Sequence, residues 1–326
     1  MGIKDKVMGK ILSKSGSYNY YKQQTNTLAK RVERLEKINK STNRLFNTLY
    51  LDYELTPTEL LSNTQELSYE FLTFISKVCE KHDIDWMIEY GTFLGAVRHG
   101  GFIPWDDDLD AGMMRTDYNK FIDILPGELE RNGLTDDVKI NFRQRDAFVK
   151  GATSFLQLFY QNHSPYWVDL ISLDFFPYDY MKEYNGEDIG QLYEDVRVKF
   201  YHDVVEIDDF DKVLERYYEN LNLTYEETPY ILPGVEGPPG PGRVIKLHVF
   251  DTDKMKPSKD VKFGPIMLPG PKDSDYYLSK IYKNYREIPS VLTFHKRIGR
   301  LRKYPNVNEV FEFHINKLKE INENFE

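Results

Sequence analysis

The chain has 326 residues and is 40% hydrophobic, which excludes a small disulfide-stapled scaffold and a wholly disordered protein and favours about two structural units. It contains no apolar run of about 18 residues that would span a membrane, and residues 1–10 lack the apolar core of a secretory signal. The net charge of −9 combines +8 over residues 1–46, −21 over residues 47–279 and +4 over residues 280–326. An acidic middle argues against nucleic-acid binding and suits the binding of cations.

Residues 1–50 are expected to form a helical extension. Over residues 1–14 the apolar side chains share one helical face and the lysines lie off it, an arrangement that can rest on an anionic membrane. We therefore expect a cytoplasmic protein with peripheral contact at the cytoplasmic membrane face, and the lone Cys79 fits that reducing compartment. The apolar face comprises Ile3, Val7, Met8, Ile11 and Leu12, and the lysines are Lys4, Lys6, Lys10 and Lys14.

A second pattern follows in residues 25–50, where apolar side chains recur in alternating steps of four and three. This spacing is typical of a coiled coil and predicts a homo-oligomer through residues 25–50. The alternative is that these helices pack on the body of the same chain. The positions are Leu28, Val32, Leu35, Asn39, Thr42, Phe46 and Leu49.

The elements after residue 50 alternate between helix and strand. Thr56 is predicted to cap a helix that has Pro57 at its first position and ends near Lys81. A strand is expected over residues 86–90, a short helix over 93–98, a strand over 106–114, a helix over 116–125, a strand over 166–171, and helices within 186–220. Residues 233–242 contain Gly-Pro-Pro-Gly-Pro-Gly and predict a loop, and the chain is expected to end in a basic helical segment over residues 291–326.

The chemistry is concentrated in residues 89–113. On a strand, side chains two apart share a face, so Asp106, Asp108 and Asp110 are expected to converge on one side. Three close carboxylates repel each other unless a cation compensates them, and an all-oxygen ligand set selects Mg²⁺, with Mn²⁺ as a substitute. The turn at Gly91-Thr92 opens a helix and is expected to bind phosphate, with Arg98 as a further phosphate partner.

Two plainer interpretations of these aspartates are an EF-hand calcium loop and a solvated acidic turn. The calcium loop requires glycine at its sixth position and glutamate at its twelfth, where this chain has Ala111 and Asp117. A solvated turn does not explain the alternation of aspartates with apolar residues. A metal-binding strand therefore accounts best for the pattern.

The same residues resemble the LicD/fukutin-type transferases, within the polymerase-β-like nucleotidyltransferase superfamily. A fainter resemblance extends over about residues 60–290, which we take with residues 51–59 as one catalytic domain, 51–290. The resemblance is carried by Tyr90-Gly-Thr-Phe-Leu-Gly-Ala-Val-Arg-His99, Gly101-Phe-Ile-Pro-Trp-Asp-Asp-Asp-Leu-Asp110 and Met114-Arg-Thr-Asp-Tyr118.

The resemblance implies an α/β (α+β) fold, with a nucleotidyltransferase-like mixed sheet flanked by helices. It implies that Asp108 and Asp110 bind the metal, with a third carboxylate from a neighbouring strand, for which Asp169 is the first choice and Asp174 the reserve. Asp106 is expected in the same catalytic cluster. Donor phosphates would contact Gly91, Thr92, Arg98, His99 and Lys150.

The implied reaction is the transfer of a phospho-alcohol, such as phosphocholine or ribitol phosphate, from a CDP-linked donor to a hydroxyl of a cell-surface glycan. The acceptor could be lipid-linked and belong to a teichoic acid or lipopolysaccharide. The alternatives are a nucleotidyltransferase, a DxD glycosyltransferase and a catalytically silent glycan-binding module. Retention of Gly91 and of all three aspartates argues against the last of these.

Overall fold

The computed structural model describes residues 16–52, 57–142, 155–206, 209–236, 248–287 and 297–326. The chain divides into two compact units, Met1–Leu55 with Arg286–Thr293, and Thr56–Tyr285 with Phe294–Glu326. In the first unit the structure describes one long helix, α1 (Gly16–Asp52), which confirms the helical extension. The amphipathic pattern predicted over residues 1–14 lies outside the described residues.

The second unit is built on a mixed sheet, which confirms the predicted fold class. Its main path runs in the order β1-β2-β5-β4-β3, in which β2 and β5 are parallel and the other neighbours are antiparallel. Three short strands extend from the second half of β5. The strands are β1 (Met87–Ile88), β2 (Leu109–Met114), β3 (Val138–Asn141), β4 (Leu156–Asn162), β5 (Val168–Met181), β6 (Leu223–Thr224), β7 (Tyr230–Pro233) and β8 (Phe250–Asp251), and a separate hairpin pairs β9 (Lys259–Phe263) with β10 (Ile266–Gly270).

Helices flank this sheet, and the long C-terminal helix packs on the first helix of the unit. Within the described ranges, no helix combines the length and the apolar character needed to cross a membrane. The helices are α2 (Glu59–Lys81), α3 (Tyr90–His99), α4 (Arg115–Arg131), α5 (Gly190–Glu206), α6 (Phe210–Asn220), α7 (Thr252–Met255), α8 (Ser274–Tyr282), α9 (Arg297–Leu301) and α10 (Val307–Glu323).

Several predicted boundaries were wrong: the strand predicted over residues 106–114 begins at Leu109, and the strand predicted over 166–171 runs from Val168 to Met181. Two further differences have local reasons. Helix α2 begins at Glu59 after Thr58, which has extended backbone and makes no side-chain capping bond, so the predicted capping box does not form. The strand expected over residues 86–90 stops at Ile88, because Glu89 precedes a helix and Tyr90 adopts a φ of +43°. This early stop brings the start of α3 to the edge of β2.

The long strand β5 forms the centre of the sheet, and a bulge in it decides which of its side chains share a face. Tyr160 on β4 pairs with Ile171, whereas the next residue, Gln161, pairs with Asp169. One extra residue of β5, Leu170, is therefore accommodated between these pairs, which keeps Asp169 on the same face as Asp174. Leu170 and Ile171 are both fully buried in the core.

A buried ion cluster joins the ends of β2 and β5. Arg115, the first residue of α4, donates two hydrogen bonds to Asp179 at 2.8 and 2.9 Å and two to Glu236 at 2.5 and 2.8 Å. Tyr118 accepts a hydrogen bond from the Leu156 amide at 2.7 Å. Removing one partner of a buried charge pair is strongly destabilising. Arg115 and Tyr118, which belong to the third segment that carries the resemblance, therefore have structural roles.

Candidate functional site

The site lies where the start of α3 meets the beginning of β2 and the middle of β5. Asp110 on β2 pairs in parallel register with Asp174 on β5. Asp108, two residues before Asp110, accepts a hydrogen bond at 3.3 Å from the hydroxyl of Ser172, which lies two residues before Asp174. Asp110 and Asp174 therefore lie side by side on one face of the sheet, and Asp108, which directly precedes β2, is held near them by its contact with Ser172.

Gly91, at the first turn of α3, borders this cluster and leaves room for it. A Cβ atom at Gly91 would lie 3.3 Å from Oδ2 of Asp106 and 3.8 Å from Oδ2 of Asp110. The structure thus brings Asp106 into the same cluster, as the sequence predicted. Any side chain at position 91 would occupy the space in front of these two carboxylates.

The electrostatics of the cluster disfavour ionisation of Asp110. Burial, followed by the charges of Asp108 and Asp174, raises the pKa of Asp110 well above its ordinary value. Glu89 and Asp106 add to this effect. Ionising Asp110 is therefore costly unless a positive charge enters the cluster.

The third carboxylate requires a correction to the sequence prediction. Asp169, the first choice, lies five residues before Asp174 on β5, about 15 Å away at the usual rise of a strand. Its Oδ1 accepts a hydrogen bond at 2.6 Å from Gln161, its partner across the bulge. The reserve, Asp174, lies beside Asp110 and accepts a hydrogen bond at 3.0 Å from Gln157.

The ligands of the cluster suit a hard divalent cation, because they are all carboxylate oxygens and the neighbouring Gly91 has no side chain to fill the space beside them. Within the described ranges, no three His, Cys, Asp or Glu side chains are arranged as a ready-made metal site. Mg²⁺ in phosphate chemistry commonly uses one or two carboxylates and completes its shell with phosphate oxygens and water. Asp108 and Asp110 satisfy that smaller requirement.

The start of α3 contributes amide groups rather than side chains. Thr92 is buried, and its hydroxyl accepts the Asp110 amide at 2.8 Å, which ties α3 to β2. The Tyr90 amide donates to the hydroxyl of Tyr277 at 3.1 Å. The backbone N–H groups of Gly91 and Thr92 therefore remain our prediction for phosphate binding, since the first amides of a helix lack partners within the helix.

Arg98 and His99 lie at the other end of α3. Arg98 donates to the carbonyl oxygen of Tyr285 at 2.9 Å, which fixes its guanidinium. Burial and the neighbouring Arg98 lower the pKa of His99 to about 4, so the imidazole is neutral at pH 7 and brings no charge to a phosphate. Burial and the charges of Asp110 and Asp106 raise the pKa of Tyr282, whereas the Arg98 charge lowers it. Lys150 lies outside the described residues.

Two residues at the site were missed from sequence. Glu89 is fully buried, and burial raises its pKa to about 8 although Tyr178 and Tyr277 donate hydrogen bonds to its Oε2 at 2.5 and 3.4 Å. Its Oε1 has no hydrogen-bond partner among the described residues. A buried carboxyl with this pKa carries its proton at pH 7.

The second missed residue is Arg297, which lies in the basic C-terminal segment. Arg297 donates to Ser172 Oγ at 2.5 Å and to the carbonyl oxygen of Asp107 at 3.0 Å, and its Nη2 lies 3.9 Å from Asp108 Oδ1. The buried Asp107 carboxylate accepts the next amide, that of Ile298, at 3.3 Å. Asp107 thus anchors α9 and brings one arginine to the cluster.

Comparisons with known proteins identify the family that this chain resembles. Residues 83–207 match the model of the LicD/FKTN/FKRP nucleotidyltransferase domain, a segment that contains the strands and all the carboxylates of the cluster. The chain is 41% identical over 64 residues to the lipopolysaccharide cholinephosphotransferase LicD of Haemophilus influenzae, covering 20% of this chain and 24% of that protein. It is 36% identical over 86 residues to the human ribitol 5-phosphate transferase FKRP, covering 24% of this chain and 17% of that protein. These matches span about a quarter or less of the relatives' own lengths.

Proposed function

Because this chain belongs to the LicD/FKTN/FKRP family, we propose that it transfers a phospho-alcohol from a CDP-linked donor to a hydroxyl of a cell-surface glycan, with Mg²⁺ or Mn²⁺ as cofactor. The named activities of the two relatives, cholinephosphotransferase and ribitol 5-phosphate transferase, support this reaction class. The acceptor we propose is a glycan of the cell envelope, such as a lipopolysaccharide or a teichoic acid.

The observation that carries the proposal is the convergence of Asp106, Asp108, Asp110 and Asp174 beside Gly91. A protein gains no stability from burying a carboxylate among like charges, and burial together with the neighbouring carboxylates raises the pKa of Asp110. Such a cluster is useful where phosphate groups and a divalent cation meet. Phosphoryl transfer is that kind of chemistry.

We assign roles to the residues from their positions. The amides of Gly91 and Thr92 and the guanidinium of Arg98 bind the donor phosphates. Asp108 and Asp110 would hold the cation, which, when bound, neutralises charge on the phosphate oxygens and orients them for in-line displacement.

Asp174 is the residue we assign to the acceptor, because it lies beside Asp110 on the same face. The acceptor hydroxyl oxygen forms a new bond to the phosphorus that carries the alcohol, and the bond between that phosphorus and the CMP oxygen breaks. The hydroxyl proton passes to a carboxylate oxygen of Asp174, and CMP leaves with the electron pair of the broken bond. We assign Asp106, which borders Gly91, to orienting the acceptor.

One alternative has a specific observation in its favour. The matched family model is described as a nucleotidyltransferase domain, and the same carboxylates suit attack on the phosphorus that carries the nucleoside. In that reaction the nucleotidyl group is transferred and the phospho-alcohol is released. The two reactions therefore differ in the leaving group.

The test is incubation of the full chain with Mg²⁺, a glycan acceptor extract, and CDP-choline, CDP-ribitol or CDP-glycerol, with UDP-sugars in parallel. Release of CMP that requires the acceptor supports the proposal. The Asp110→Asn variant should lose this activity, whereas Asp123→Asn, which alters an exposed aspartate on α4, should keep it. Reaction with UDP-sugars but not with any CDP-alcohol would refute the assignment.

A further inference from the structure

Helix α1 presents a stripe of apolar side chains to solvent. Leu28, Val32 and Leu35 are 56%, 51% and 63% exposed, and they follow one another in steps of four and three. Ile38 and Leu45 lie at the edge of the same stripe and are also more than half exposed. An exposed contiguous apolar stripe of this kind marks an interaction surface rather than ordinary helix solvation.

The polar residues along the stripe indicate which partner fits it. In the heptad that places Val32 at position a, Leu28 and Leu35 occupy d and Asn39 occupies a. A single asparagine at a core a position fixes the register of a two-stranded coiled coil, because two such amides pair across the seam. Thr25 at position a and Thr42 at position d make two further polar layers, which weaken the seam without changing its register.

The flanking charges are complementary between two parallel copies. Arg31 is at position g and Glu36 at position e of the following heptad, which is the pair that meets across a parallel coiled coil. Neither side chain makes an ion pair or a hydrogen bond with another described residue. The ion pair within the helix, Lys37 with Glu33 at 2.8 Å, lies off the stripe on the outer face.

We propose that residues 21–49 of α1 form a parallel, in-register two-stranded coiled coil with α1 of a second copy of this chain. Two symmetric Arg31–Glu36 pairs flank the seam, and Asn39 of one copy meets Asn39 of the other. The proposal concerns assembly and does not depend on the reaction assigned above.

Sedimentation equilibrium of the full chain over a concentration series tests the assembly. We expect a mass of about twice the 38.5 kDa of one chain at high concentration, with dissociation on dilution. Leu28→Gln combined with Leu35→Gln should weaken the dimer at least tenfold, whereas Lys37→Gln, on the outer face, should leave it unchanged. A monomer at every concentration would overturn the proposal.

Charge exchange tests the parallel register. Arg31→Glu alone should weaken the dimer, because it places two acidic side chains opposite each other, and adding Glu36→Arg should restore it. Failure of the double variant to restore the dimer would overturn the parallel arrangement. Loss of binding to anionic vesicles in the Leu28→Gln/Leu35→Gln variant, with no change in mass, would show that the stripe contacts a membrane instead.

Discussion

Asp110 and Asp174 face each other across the parallel pair formed by β2 and β5, although 64 residues of sequence separate them. Burial raises the pKa of Asp110 well above its ordinary value, and the charges of Asp108 and Asp174 raise it further. This pair links the aspartate-rich segment, residues 106–110, to β5, a strand without a comparable aspartate-rich motif.

Replacing either carboxylate should separate activity from stability. Asp110→Asn and Asp174→Asn should each remove nearly all turnover, while the free energy of unfolding stays unchanged or rises by about 1 kcal/mol because repulsion is relieved. Thermal unfolding and CMP release measured on the same samples provide the check. Asp169→Asn should retain most turnover. Complete loss of turnover in this variant would show that Asp169 takes part in the reaction.

The guanidinium of Arg98 should determine donor use. Arg98→Ala should lower kcat/KM for the CDP-alcohol by about 10- to 100-fold, the range expected for losing hydrogen bonds to a charged group. Arg98→Lys should recover only part of this, because a point charge replaces a planar fork. Steady-state kinetics at saturating acceptor measure the effect, and equal kinetics for Arg98→Ala and the unaltered chain would contradict it.

Glu89 should make stability depend on pH. Its folded pKa of about 8 lies above the ordinary value of 4.5, so its contribution to stability is complete below about pH 4.5 and is lost as the pH rises towards 8. Over that window the unaltered chain should lose about 1.4 kcal/mol more per pH unit than Glu89→Gln, the slope for one proton. Urea unfolding in EDTA across pH 4.5–8 measures this slope. Parallel pH profiles for the two proteins would contradict a protonated Glu89.

Arg297 should weaken the binding of a cation to the cluster, because it already places a positive charge 3.9 Å from Asp108. Arg297→Gln should lower the dissociation constant for Mn²⁺ at least about threefold, since removing a nearby like charge favours the ion. Arg297→Lys should change it little, and Arg300→Gln, an exposed neighbour on α9, should serve as control. Calorimetric titration with Mn²⁺ is the measurement, and unchanged or weaker binding in Arg297→Gln would contradict it.

The basic residues 1–14 should bring the full chain to anionic membranes. Lysines near such a surface gain about 1 kcal/mol each, so replacing Lys4, Lys6, Lys10 and Lys14 together by Gln should abolish binding to phosphatidylserine vesicles. Binding by the unaltered chain should fall as salt is added. Vesicle co-sedimentation measures both effects, and equal binding by the two proteins would exclude this role.

The sequence predicted those parts of the site that depend on local spacing. Asp106, Asp108 and Asp110 follow a two-residue period, and Gly91 lies in a motif with a recognisable turn, so their convergence could be predicted. The choice between Asp169 and Asp174 could not, because it depends on the register between β2 and β5. Arg297 contacts Ser172 across 125 residues of sequence, and no periodicity signals such a contact.

The most direct measurement of the central claim uses a CDP-alcohol carrying ³²P at the phosphorus next to the alcohol, with Mg²⁺ and the glycan acceptor. Phospho-alcohol transfer predicts that the label enters the glycan while unlabelled CMP is released, and that Asp110→Asn abolishes both. Release of labelled phospho-alcohol, with the nucleotide attached to the acceptor, would contradict the claim and establish nucleotidyl transfer.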